Sequence, residues 1–380
     1  DLFMQLYAVT GLTMYWATTR DPGALATIER SLELLDRHAW DDEHGGYYRT
    51  LGPDLTVVDS AKAVSPQLAP VSGYLLYLHL ATGDDRWRGR AERVSRVVVD
   101  RMRDPESGWL LERFDRDWDV ADRPNRRWSD VNTGHVVEIA WTALRLHLLG
   151  LDDASGAATG PGPGAGAATS ASATTAGSGV HDTATDDGRW QEFGVELGER
   201  ITERAFVPAH GFWSKGFDFQ RPDSLDPTTP WWIQAYGNML ALYMHRVTGE
   251  ARYLDVFRRG ARFWDRVFVD AEHGGTVLTA DSTAAVARGD KAVRTKTSYH
   301  ALEHSLLLAL YTGAWVDGEP VTFHFRVEDP GPGERLRPTL VEDPEVRIAA
   351  VRMNGRPWTD FDVEAGWVAL PEEGPVEVEV

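Results

Sequence analysis

Two histidines stand in surroundings suited to proton transfer. His135 lies in NTGHVVEIAW, with Glu138 one helical turn later on the same face. A carboxylate there is placed to fix the imidazole tautomer and raise its basicity. His300 lies in RTKTSYHALEH, with Lys296 one turn before it and His304 one turn after. Imidazole has an unperturbed pKa of about 6.5, so it both takes and returns a proton near neutrality. Taken singly, a helical histidine is structural more often than catalytic, so the case rests on whether the chain brings the two together.

An internal repeat supplies that link. The turns TTRD ending at Asp21, ATGD ending at Asp84 and VTGE ending at Glu250 each close one helical stretch and open another. Twenty residues after each comes a matching loop: DDEHGGYY from Asp41, DPESGW from Asp104 and DAEHGGTV from Asp270. A weaker copy runs from Asp187 to VPAHGFW. Each period reads as an inner helix, a tight turn, an outer helix and a long loop back, an array of αα-hairpins. Inner helices are predicted over 2–19, 62–81, 131–150, 231–247 and 296–311, and outer ones over 22–38, 85–102, 188–205 and 251–268.

The predicted fold is all-α, an (α/α)6 toroid over 1–315. A closed ring of six hairpins needs twelve helices, which leads us to expect about three ahead of Asp1. The Gly-, Ala-, Ser- and Thr-rich run within 152–187 has too little apolar surface to offset its ordering entropy and reads as a disordered insertion. Over 316–380 the pattern alternates, as in VTFHFRV, VRIAAVRM and VEVEV with a turn at Asn354-Gly355, and predicts a small β appendage.

Residues equally far ahead of each turn lie at equal height in such a ring. Gln67, His135, Gln234 and His300 all fall in the first turns of inner helices, at the mouth where the long loops open. Helix N-termini converging there present free N–H groups to oxyanions and hydroxyl oxygens. Trp231, Trp232, Trp109, Trp118, Trp128, Trp213 and Tyr48 belong to or border those loops. Such rings suit a sugar-stacking cleft, although loop packing is the expectation for more than half of them. The recurring Asp-x-Glu-His-Gly-Gly reads as a structural turn rather than a metal site, its glycines supplying backbone conformations other residues resist.

Composition narrows the partners. With 380 residues, 42% hydrophobic and 15 tryptophans, the chain has material for a large core. A net charge of −19 opposes nucleic acid and anionic membrane. No cysteine is present, which excludes disulfides and thiolate catalysis. No apolar run approaches the ~20 residues of a membrane span.

The series GHVVEIAW, PWWIQAYGNMLALY, the TGD and TGE turns, the D-x-E-H-G-G loops and the late KTSYH together resemble the N-acylglucosamine 2-epimerase family, over about 1–315. The resemblance implies an (α/α)6 barrel acting on free reducing sugars without a redox cofactor; no cofactor is expected, a cytoplasmic location is compatible with the absence of cysteine, and a homodimer is one expected assembly. It implies His135 and His300 as the general acid/base pair, Glu138 as the acid supporting the first, and Trp232 as a substrate-stacking ring. Gln234, Trp231, Lys296, Gln67, Trp118 and Tyr299 complete the expected substrate contacts. Proton removal at C2 beside an opened aldehyde leaves an enediolate, which bases on two faces turn into an epimer and proton shuffling between C1 and C2 turns into a ketose. Such a pair would face each other across ~6 to 8 Å. The chain departs from the family at 66–72, where an Asn-x-His-x-His helix is expected, and at Tyr236, where an acid is. The alternatives are a toroid glycoside hydrolase, using Asp130 and Glu138 as paired carboxylates, and a sugar-binding toroid without catalysis.

Overall fold

The computed structural model describes residues 2–120, 131–153, 188–218 and 221–380. Trp128, Asp130, the turn at Asp187 and most of the low-complexity run lie outside them. Asp152 does not belong to that run in structural terms: it is buried, and its carboxylate accepts the backbone N–H of Trp190 at 2.6 Å.

The hairpins begin and end where local chemistry dictates. Helix α1 (Leu2–Thr19) turns into α2 (Pro22–Ala39) at Asp21, whose side chain accepts the Gly23 N–H at 2.8 Å. Pro22 follows, with φ already suited to a first helical turn. The next inner rod is α3 (Val64–Pro70), a π turn (Val71–Leu75) and α4 (Leu76–Thr82). Pro70 has no N–H to donate, and the helix widens at the residue after it. Gly83 ends the rod at φ 70°, and Asp84 caps α5 (Asp85–Arg101) through the Arg86 N–H at 3.0 Å. Then come α6 (Thr133–Leu148), α7 (Arg189–Ala205), α8 (Trp231–Thr248), α9 (Ala251–Phe263) and α10 (Tyr299–Thr312), the last two running on into π turns.

These bounds fall within a few residues of the predicted ones. Three inner helices start late, because Lys62–Ala63 and Val131–Asn132 are drawn into short strand pairs with Arg113–Phe114 and Gly216–Phe217, and because 296–298 remain extended or turned. Inner helices pack in the order α1, α3, α6, α8, α10, the first four backed by the outer helices α2, α5, α7 and α9. Outer α5, α7 and α9 carry one apolar face, whereas α6 and α8 are buried on nearly every side, as a helix walled in by neighbours must be. The rings of Tyr7 from α1 and Tyr299 from α10 meet at 5.7 Å and bring the two ends of the arc together.

After Asp317 the chain forms short antiparallel strands. His324–Val327, Val376–Glu379, Val351–Met353 and Arg356–Trp358 make a four-stranded sheet, and Arg335–Leu336, Trp367–Ala369 and Phe361–Asp362 a three-stranded one. Asn354 and Gly355, both at positive φ, form the predicted hairpin turn. No helix among the described residues is long and apolar enough to cross a membrane.

Candidate active site

His135 sits in the first turn of α6, behind Asn132, whose side chain caps the helix through the Gly134 N–H at 3.0 Å. Its Nδ1–H donates to the carboxylate of Glu112, with oxygens at 2.8 and 2.9 Å. An ionised carboxylate only accepts, so this bond leaves Nε2 as the nitrogen that exchanges a proton. Burial pulls the His135 pKa down, but the charge and hydrogen bond of Glu112, with the charge of Glu138 behind them, outweigh it and the net shift is upward.

Glu138 has a different partner from the one its spacing suggested. Its carboxylate accepts the Ser72 hydroxyl at 2.6 Å, and it reaches His135 only through space. Burial raises its pKa to about 7. Glu112 lies on a loop, where no helical periodicity points to it, and sequence reasoning missed it.

His300 opens α10 inside a shell of rings. Tyr299, Tyr236, Trp231, Tyr7 and Trp232 lie with centroids 4.7, 5.2, 5.9, 6.2 and 6.2 Å from it. Its Nδ1 has no hydrogen-bond partner, and desolvation lowers its pKa to about 3. The imidazole is therefore neutral at pH 7. Trp232 joins the two histidines, its ring lying 5.5 Å from that of His135 and 6.2 Å from that of His300. Both imidazoles thus lean on one indole, with their pKa values pushed in opposite directions.

Gly134 makes room for that indole. A Cβ at this position would stand 2.1 Å from Trp232 Cη2 and 2.2 Å from Cζ3, on a ring that cannot bend away. Gly134→Ala is expected to expel Trp232 from between the histidines, seen as a red shift of tryptophan emission and a loss of any activity that needs both.

The remaining expected contacts divide into walls and clamps. Trp231 and Tyr299 are walls around His300. Gln67 and Gln234 are fully buried with both amide ends committed, which takes them out of reach of a ligand. Gln67 bonds the backbone of Tyr47 on both sides at 2.8 Å. Gln234 accepts from the Trp213 N–H at 3.1 Å and donates to the carbonyls of Gly211 and Gly260 at 2.9 and 3.2 Å. Lys296, ahead of α10 rather than on it, donates to the carbonyls of Thr276 and Lys291 at 2.9 and 2.8 Å. Trp118 donates from Nε1 to the His44 carbonyl at 2.8 Å and covers Gly46. Gln67 and Gln234, at equal height in the repeat, share a structural duty: each ties down the long loop about twenty residues before it, as Lys296, one turn before His300, does for Thr276. Asp41 and Asp270 bind backbone N–H groups of their own loops, as expected of turn residues.

The helical arc and its site can be set beside known proteins. Residues 2–159 match the N-acylglucosamine 2-epimerase (GlcNAc 2-epimerase) family. Glu112, His135 and Glu138 lie inside the matched stretch; Trp232 and His300 lie beyond it. The D-mannose isomerase of Thermobifida fusca is 27% identical over 135 residues, covering 33% of this chain and 32% of that protein. The mannose-6-phosphate isomerase of Rhizobium meliloti (strain 1021) is 42% identical over 65 residues, 17% of this chain and 16% of that protein. The chain thus spans a third or less of the length of these curated relatives. A crystal structure of D-mannose isomerase superposes with a TM-score of 0.63 at 18% identity, covering 81% of this chain and 70% of that one. The glycoside hydrolase family 76 mannosidase Bt3792 from Bacteroides thetaiotaomicron VPI-5482 does so with 0.53 at 10%, covering 83% and 71%. These two likenesses establish the α/α fold and do not separate isomerase from hydrolase.

Proposed function

We propose that the protein is a sugar 2-epimerase or aldose–ketose isomerase that moves a proton at C2 of a free reducing sugar through an enediolate. The observation that carries this reading is the pair of imidazoles against one indole, one driven toward its protonated form and the other toward its neutral form. Opposed shifts of this kind separate an acid from a base. His300, neutral, takes the C2 proton through Nε2, its Nδ1 being buried; negative charge developing on the enediolate beside it raises its basicity as the reaction proceeds. His135, protonated at Nε2 and held by Glu112, donates to the developing oxyanion or to the opposite face. Trp232 offers the ring on which the sugar stacks, and the other walls of His300 keep water from the carbanion. The family match over 2–159 and the isomerase relatives support the same class.

The fold likeness to a mannosidase favours comparison with a hydrolase, which needs an acid free to protonate a leaving oxygen. Glu138 is buried against Ser72, and this counts against that use. Incubation with mannose, glucose, cellobiose and N-acetylmannosamine in D₂O is expected to place deuterium at C2 of at least one of them. Release of a monosaccharide from cellobiose without exchange would replace this reading by the hydrolase. A sugar-dependent rise in Tm with neither outcome would leave a binding protein.

A further inference from the structure

The motif around His135, a histidine followed three residues later by a glutamate, occurs again at His300, with Glu303 in the second place. Glu303 is buried, and three phenols from three helices converge on it. Its Oε1 accepts the hydroxyl of Tyr77 at 2.9 Å and that of Tyr299 at 3.0 Å, while Oε2 accepts that of Tyr236 at 3.3 Å. Tyr299 and Tyr236 are also the two rings nearest His300, at 4.7 and 5.2 Å. A further wall of His300, Tyr7, hydrogen bonds through its hydroxyl to Tyr236.

We propose that Glu303 is a positioning residue for His300: it holds the hydroxyls of Tyr299 and Tyr236 so that their rings fix the imidazole in place. This rests on the reading of His300 as the base. The free Nδ1 offers no hydrogen bond to hold the ring, so its orientation comes from packing, and Glu303 fixes the two rings nearest to it. An ionised carboxylate offers about four acceptor sites, and of the three used here two go to walls of one histidine, Tyr299 and Tyr236. The site carries a cost that packing alone does not require, because well-packed apolar residues would fill the same space without a desolvated carboxyl. Burial pushes the Glu303 pKa up to about 7, against the three phenols and the positive charge of Arg145, while Glu138 and Glu303 repel each other across the interior. Glu303 is buried and its hydrogen bonds go to the tyrosines, so its effect on the reaction passes through them.

The test compares Glu303→Ala with Glu303→Gln, the latter retaining the size and one acceptor oxygen. Misplacing a reacting group by about 1 Å costs about 10²-fold, so Glu303→Ala is expected to lower kcat for C2 exchange by about that factor with KM little changed. Glu303→Gln is expected to recover part of the loss. An Ala variant with wild-type kcat, or a Gln variant no better than Ala, overturns the proposal. Ring-flip rates of labelled Tyr236 and Tyr299, read by NMR, decide it without any turnover: faster flips in Ala, and in Gln for one ring only, support it, and unchanged flips overturn it. Should the Ala variant fail to fold, the Gln variant alone gives this readout. Absence of C2 exchange by the wild-type protein with every sugar, alongside altered flips, would sink the enzymatic reading while leaving Glu303 as the group that holds these rings.

Discussion

Replacing His300 by Ala is expected to slow deuterium exchange at C2 by about 10²–10⁴-fold, the usual contribution of a positioned acid or base. The ring is one of several in an aromatic shell, so circular dichroism and Tm must show the variant folded before the rate is read. His135→Ala is expected to lose a similar factor, and the two losses should not add, because neither histidine completes the transfer alone. Glu112 offers a finer test. His135 acts as imidazolium, and Glu112 is the main reason its pKa lies above the ordinary histidine value despite burial. The rate is then full below that raised pKa and falls about tenfold per pH unit above it. Glu112→Gln removes the charge while burial still pulls downward, so the alkaline fall should begin at lower pH. A pH–rate profile unmoved by Glu112→Gln would remove His135 from the role of acid. Stability follows the same sign: the His135–Glu112 contribution is complete below the unfolded histidine pKa and disappears as pH rises through the folded one.

The architecture was legible because repetition turns spacing into height. Asp21 and Asp84 announce the outer helices, Gly83 and Gly249 end the inner ones, and Asn354-Gly355 marks the hairpin. The same rule misled at Gln67 and Gln234. Equal height showed that they do the same thing, and it could not show that the thing is to hold a loop backbone. His135 and His300 stood out by residue type, whereas Glu112 did not, since a loop has no period to set its side-chain direction. Glu303 was legible in principle, as the second glutamate three residues after a histidine. It was passed over because its meaning lies in Tyr77 and Tyr236, more than 60 residues away in the chain. Burial of Tyr236 where the family pattern calls for an acid has a physical counterpart here: the carboxyl comes from α10 and the phenol from α8, and the two hydrogen bond.

Glu342→Ala is expected to be among the most destabilising single changes in the molecule. Glu342 leaves the segment after the first appendage strands and enters the helical core, where its side chain and that of Arg145 are fully shielded from solvent. Arg145 Nε donates to Oε1 at 2.8 Å, and the Tyr243 hydroxyl donates to Oε2 at 2.6 Å. The guanidinium lies over Trp141 and Tyr77, at 4.4 and 4.8 Å from their centroids, so no water can replace the lost carboxylate. Removing one partner of such a pair typically costs about 3–5 kcal/mol, because a charge is left buried alone. Next to it, Asp343 binds Arg246 at 2.6 Å and the Trp315 indole N–H at 2.9 Å, but Arg246 keeps contact with solvent and Asp343→Ala should cost much less. Urea unfolding of both variants checks the order. The double change Arg145→Met with Glu342→Leu should recover much of the loss, since an apolar pair fills the space with no charge to strand. If Glu342→Ala unfolds at the wild-type urea midpoint, Arg145 has found another partner or reached water, and the pair cannot be what fastens the C-terminal segment to the helices. The damage should also spread toward the mouth. Arg145 Nη1 reaches the Ser72 carbonyl at 3.5 Å, and the hydroxyl of that same serine holds Glu138.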